Sequence, residues 1–208
     1  MTTEINSGQF LDILKARRAV KVYDESHQLS KQEIEELLEL AGRAPSAWNL
    51  QHWHFVVFHG TEAQERLLPI AFNQQQITQS SCVIAILGDL EADKNAEEVF
   101  GQDIEKGRIK EELAEVIKGQ INGAYSNDVY PRDAANSNAS LSAMQLMLAA
   151  KGKGLDTCAI GGFNRGKFVE EFQISERYLP LMLITVGKAA APGRETDRLP
   201  LEKTTTWI

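Results

Sequence analysis

Apolar residues along this chain fall either at helical spacing or in short unbroken runs, and the two patterns divide it into elements. Phe10, Ile13 and Leu14 share one face of a helix predicted over Gly8 to Ala16. Ile34, Leu37, Leu38 and Ala41 form the stripe of a second helix, which stops near Pro45. Ser30, with Glu33 three residues on, is a capping-box pattern at its start. Trp53 to Phe58 and Cys82 to Leu87 are apolar runs ended by Gly60 and Gly88, the pattern of buried strands. Glu62 to Ala71 between them reads as a helix with Pro69 near its end.

Ile109, Leu113, Val116, Ile117 and Ala124 return at helical spacing within a charged stretch, whose charges read as a solvated face. Pro131 opens a long helix with Leu141, Met144 and Leu148 along one side. Ala135, Ala139, Ser142 and Ala143 leave that helix small elsewhere, so another backbone can approach it, from the core or from a second subunit. Gly152 and Gly154 end it. Asp156 to Ile160 and Leu181 to Val186 read as further strands, with a short helix near Lys167 to Phe172 between them.

Few strands, several long helices and no regular alternation predict an α+β fold. Residues 1–188 read as a single domain and 189–208 as its extended arm, given Pro192, Gly193, Pro200 and the ending Thr204-Thr205-Thr206-Trp207-Ile208. The tip carrying Trp207 and Ile208 needs a covering surface, either its own body or a partner's sheet.

Composition narrows the function classes. The chain has 208 residues, 43% hydrophobic and 25% charged, the mixture of a soluble globular protein with a sizeable core. A formal charge of −7 argues against a broad attraction to nucleic acid or anionic membrane, so neither is an expected partner. Cys82 and Cys158 each sit inside an apolar run and are expected as reduced, buried thiols. The polar start Met1 to Asn6 lacks the apolar core of a secretory signal, and no run nears the roughly 20 apolar residues of a membrane span. A cytoplasmic location is expected.

The chain contains no GxGxxG after a strand, no GxxxxGK[ST], no HExxH, no paired CxxC and no GxSxG. His52 and His54 read as sharing one strand face, but no third ligand clusters with them, so no metal is expected. Three other segments carry candidate chemistry. Arg17, Arg18 and Lys21 put three cations in five residues, a pattern suited to an anion such as phosphate. Pro45-Ser46-Ala47-Trp48-Asn49-Leu50-Gln51 offers hydroxyl and amide groups in a turn between helix and strand. Gly161-Gly162, straight after a strand, lets a backbone come close to a flat ligand.

Together these segments resemble a family. Arg17-Arg18-Ala19-Val20-Lys21 and the run Ala44 to Phe55 are similar to the two N-terminal signatures of bacterial FMN-dependent nitroreductases, especially those of Gram-positive bacteria. Asn73, Ile160-Gly161-Gly162-Phe163 and Arg198-Leu199-Pro200 follow in matching order, so the resemblance covers nearly the whole chain. Its most specific part is Pro-Ser-x-x-Asn-x-Gln-x-Trp.

The resemblance implies a mixed sheet flanked by helices, a C-terminal arm crossing to the partner subunit, and a homodimer with two FMN sites at its interface. Arg17, Lys21 and Arg198 would hold the FMN phosphate, with Arg18 and Ala19 beside them. Pro45, Ser46, Ala47 and Asn49 would come from the partner. Asn73 would hydrogen-bond the isoalloxazine edge, and Ile160, Gly161 and Gly162 would bring a backbone N–H near flavin N5. NAD(P)H would be the electron donor, with nitroaromatics, quinones or similar small electron-poor molecules as acceptors in ping-pong turnover and no side chain acting as essential catalyst.

Three positions depart from the family pattern: Ala19 where serine is common, Gln76 at the flavin's pyrimidine end where one branch has lysine, and Gly161 where that branch has glutamate. Two other readings stand beside this one. They are a flavin-binding or regulatory protein with little turnover, and a family member with a dedicated non-nitro substrate.

Overall fold

The computed structural model of the chain describes residues 7–208. Met1 to Asn6, on which the expected absence of a secretory signal rests, lie outside the described residues. In chain order the elements are α1 (Ser7–Ala16), α2 (Lys31–Ala41), β1 (Trp53–His59), α3 (Thr61–Leu67), α4 (Gln76–Gln79), β2 (Cys82–Asp89), α5 (Ala96–Glu105), α6 (Glu111–Tyr125), α7 (Tyr130–Gly152), β3 (Asp156–Ile160), α8 (Arg165–Glu171) and β4 (Tyr178–Gly187).

Every residue of β2 is buried, because the strand is covered on both faces. Cys82, Ile84 and Ile86 pack with α2 and α7, while Val83, Ala85 and Leu87 pack with α3, α4 and α8. An unbroken apolar run is what such a strand requires. The sheet order is β1-β2-β4-β3, and all three pairings are antiparallel. A parallel component enters at the isolated bridge between Ala19 and Thr157. The α+β class stands as expected, with the mixed character confined to that bridge among the described residues.

The capping box forms as predicted, with Glu33 N–H donating to Ser30 Oγ (3.3 Å) and Ser30 N–H to Glu33 Oε2 (2.8 Å). The small side of α7 faces the sheet. A Cβ placed on Gly88 would stand 3.0 Å from Ala135 Cβ and 3.1 Å from its carbonyl oxygen, so within this chain the small residues serve core packing. Leu141 and Met144 point outward and remain largely exposed.

Two elements differ from expectation. The helix expected over Glu62 to Ala71 stops at Leu67, before Pro69, which has no N–H to continue it. Phe72 and Asn73, at φ 54° and 55°, then turn the chain the other way. Helix α5 escaped notice because Glu97, Glu98, Asp103 and Glu105 interrupt its apolar positions. With α6 it forms a separate cluster in which Phe100, Ala114 and Ile121 cover Leu50. Among the described residues, no helix is long and apolar enough to cross a membrane.

Candidate functional site

The basic run leaves α1 and lies along the edge strand β3. Val20 N–H donates to Thr157 O at 3.0 Å, and the buried Tyr23 hydroxyl pairs with Thr185 Oγ1 at 2.8 Å. These contacts anchor the run at its middle and just past its end. Arg18 turns back onto the carbonyl oxygens of Lys15 and Arg17 at the end of α1, where a cation complements the helix dipole. Among the described residues, no carboxylate pairs with Arg17 or Lys21. Two cations left unpaired in an acidic protein suit an anion from outside the chain.

The tail returns across the same run. A Cβ on Gly193 would lie 2.7 Å from Arg18 Cβ and 2.9 Å from Ala19 O, so only glycine permits this crossing without a shift. Sequence reading had not assigned Gly193 this role. Arg198, five residues on, is exposed, and its guanidinium bonds locally to Thr196 and Asp197.

Beyond β3, Ile160 is buried while Gly161 and Gly162 are exposed. Neither glycine has a positive φ, and a Cβ on either would meet nothing within 4 Å. The chain's own packing therefore gives no reason for glycine here. The segment after α3 holds this turn, through Asn164 N–H to Ile70 O (2.9 Å) and Gln74 Nε2 to Gly162 O (2.9 Å). Gln76, nearly buried, donates Nε2 to Gln74 Oε1 at 3.2 Å. Asn73 sits exposed in this segment in the left-handed region. The structure thus brings Asn73 and Gln76 together with the glycine pair, and adds Gln74. A run of three glutamines, 74 to 76, was the available signal for it.

The third segment stands apart. Trp48, Asn49 and Gln51 have φ of 50°, 57° and 54°, a concentration of left-handed non-glycine residues that surrounding bonds must hold. Ala47 N–H donates to Asn138 Oδ1 (2.8 Å), Gln51 N–H to Ser46 Oγ (3.0 Å) and Asn95 Nδ2 to Leu50 O (2.9 Å). Asn138, on α7, and Asn95 were not singled out in the sequence. The loop feeds β1, at the opposite sheet edge from β3. Pro45, Ser46, Ala47 and Asn49 therefore do not share an edge with Arg17, Lys21 and the glycine pair of the same chain. Beside the loop runs an apolar groove of about 580 Å³ lined by Phe10, Ile13, Leu40, Pro45, Leu141 and Met144, among others.

His52 precedes β1 and is not part of the strand, which corrects the shared-face reading. It is fully buried, and neither ring nitrogen has a hydrogen-bond partner among the described residues. Burial pushes its pKa down to about 4, against an opposing pull from Asp89. His54 stacks on Tyr178 with ring centres 4.4 Å apart. No group of three or more His, Cys, Asp or Glu side chains among the described residues is arranged to hold a metal.

Residues 14–188 match the model of the nitroreductase family. The chain belongs to that family. Among nitroreductase relatives, it is 58% identical over 198 residues to YodC of Bacillus subtilis (strain 168), an inferred NAD(P)H nitroreductase, covering 95% of this chain and 98% of that protein. It is 30% identical over 207 residues to the CLA biosynthesis enone reductase of Lactiplantibacillus plantarum, covering 97% and 95%. A crystal structure of an inferred nitroreductase from Exiguobacterium sibiricum 255-15 in complex with FMN superposes with a TM-score of 0.91 at 36% identity, over all of both chains.

Proposed function

We propose that this nitroreductase-family chain is an NAD(P)H-dependent FMN oxidoreductase that works as a homodimer. The observation that carries the reading is the open glycine pair. Gly161 and Gly162 face space that none of the described residues fills, at a conformation that does not need glycine. A flat ring lying against that backbone accounts for both facts. The unpaired cations Arg17 and Lys21 suit its phosphate, so the residues present fit FMN.

In this reading Arg17, Lys21 and Arg198 hold the phosphate, with Arg18 and Ala19 beside them. Asn73 bonds the isoalloxazine edge, with Gln76 at the pyrimidine end. Ile160, Gly161 and Gly162 offer a backbone N–H to N5. Pro45, Ser46, Ala47 and Asn49 come from the partner subunit, which accounts for their position at the far sheet edge. The apolar groove and α7 lie in the subunit interface, and residues 189–208 form an arm of the single domain that crosses to the partner. When bound, FMN supplies a two-electron relay between NAD(P)H and the acceptor. The protein's part is to bind, orient and tune. Donor and acceptor would use the same site in turn, which would give ping-pong kinetics.

Acceptors are nitroaromatics, quinones or similar small electron-poor molecules, and the location is cytoplasmic. A second reading, favoured by the enone reductase among the relatives, assigns a dedicated α,β-unsaturated carbonyl substrate to the same site. An acceptor panel separates the two. The primary test is anaerobic titration of the yellow protein with NADH and with NADPH. Bleaching by one equivalent of either supports an oxidoreductase. A flavin that stays oxidised under both supports a binding protein without turnover and contradicts the proposal.

A further inference from the structure

We propose that Gln74 is a positioning residue that fixes the Gly161–Gly162 backbone against flavin N5 and thereby sets the flavin's reduction potential; this rests on the FMN reading above. Adjacent glycines have the widest backbone freedom of any pair, and no neighbouring atom crowds these two. Something must therefore hold the turn that carries the Gly162 N–H by gripping the next peptide at Gly162 O. Gln74 does so from its half-buried place in the segment after α3.

Its Nε2 donates to Gly162 O at 2.9 Å and to Ala71 O at 3.0 Å. Both partners are carbonyl oxygens and only accept, so chemistry fixes which way the amide points. Its Oε1 receives the Nε2 of Gln76 at 3.2 Å, and Gln76 is itself nearly buried. The chain Gln76, Gln74, Gly162 is an oriented relay of hydrogen bonds ending on the glycine pair. Apart from it, Asn164 N–H to Ile70 O is the clamp on the far side of the turn.

The direction of the effect follows from N5. The N5 of an oxidised flavin only accepts a hydrogen bond, whereas the N5 of a reduced flavin carries its own hydrogen. A backbone N–H held toward N5 favours the oxidised ring and opposes the reduced one. With the pin on Gly162 O removed, Gly162 can rotate and its N–H can swing away from N5, and the reduced ring gains.

The test uses the FMN-loaded protein with Gln74→Leu, Gln74→Met and Gln74→Ala. The first two remove the amide with little change in length, and the third removes the side chain beyond Cβ. Measured first is the affinity for oxidised FMN, expected within threefold of the parent in all three variants. A parent protein that does not take up FMN overturns the FMN reading and this proposal with it. The two-electron midpoint potential is then read by equilibration with dyes. The Gln74 variants are expected to shift it positive by about 15–30 mV, a three- to tenfold gain in affinity for reduced over oxidised FMN at about 30 mV per factor of ten. Gln74→Ala is expected to shift it the same way, which keeps the test valid if one of the longer replacements fails to fold. Potentials unchanged within 5 mV while FMN stays bound, or a fall in melting temperature with no change in potential, overturn the positioning role and leave the FMN reading standing.

Discussion

Arg177 grips Asp89 with two hydrogen bonds, Nε to Oδ1 at 2.7 Å and Nη2 to Oδ2 at 2.6 Å, tying the turn before β4 to the last residue of β2. Asp89 is nearly fully buried, and its bond to Arg177 raises the guanidinium pKa further above its ordinary range. The same guanidinium donates to Asn95 Oδ1, and Asn95 donates to Leu50 O. One ion pair thus braces both the sheet end and the strained Pro45–Gln51 loop. Arg177→Ala leaves a buried carboxylate unpaired and should lower unfolding free energy by about 3 kcal/mol in urea denaturation. A loss below about 1 kcal/mol would place the brace elsewhere.

His52 makes stability depend on pH. Its folded pKa is near 4, below the ordinary 6.5, because burial penalises the charged ring. The unfolded state therefore takes up the proton first as pH falls through about 6.5. Stability is complete above that pH and drains away down to pH 4. Each unit is worth about 1.4 kcal/mol, so the parent should lose about 2 kcal/mol between pH 7 and 5 relative to His52→Phe. Parallel denaturation curves for both proteins across that window would show the histidine to be irrelevant.

Arg17→Ala tests the phosphate assignment. Losing a charge-assisted contact should weaken FMN binding by about 1.5–3 kcal/mol, with little effect on folding because Arg17 makes no ion pair among the described residues. Calorimetric titration of flavin-stripped protein measures it, and an unaltered affinity refutes the assignment.

Deleting the residues after Arg198 should weaken the dimer. Trp207 and Ile208 are exposed on the single chain, as are Leu199 and Leu201, and a second subunit is the surface proposed to cover them. Sedimentation of the truncated protein as an equally tight dimer would reject the crossing arm.

What the sequence revealed follows from what local pattern encodes. The run Cys82 to Leu87 identified the central strand because both its faces are covered by the same chain. The Ser30–Glu33 box marked a helix start because capping is local. The apolar positions of α1 and α7 were legible as faces that seek burial. Periodicity does not say who provides the cover, and Phe10, Leu14, Leu141 and Met144 stay exposed in one chain. The small stripe of α7 was ambiguous until its close contact with Gly88 placed it against the sheet. Gln74, Asn138 and Asn95 were missed because each acts through one bond to a backbone group distant in sequence. Gly193 was read only as part of an extended arm, since nothing local says that a tail will cross Arg18 there.

The central claim is a flavin shared by two subunits between the glycine turn of one and the Pro45–Asn49 loop of the other. Its most direct measurement is FMN titration of flavin-stripped protein with sedimentation at each point. One FMN per chain, bound to a dimer that tightens as the sites fill, is the predicted result. A colourless monomer persisting in excess FMN contradicts it.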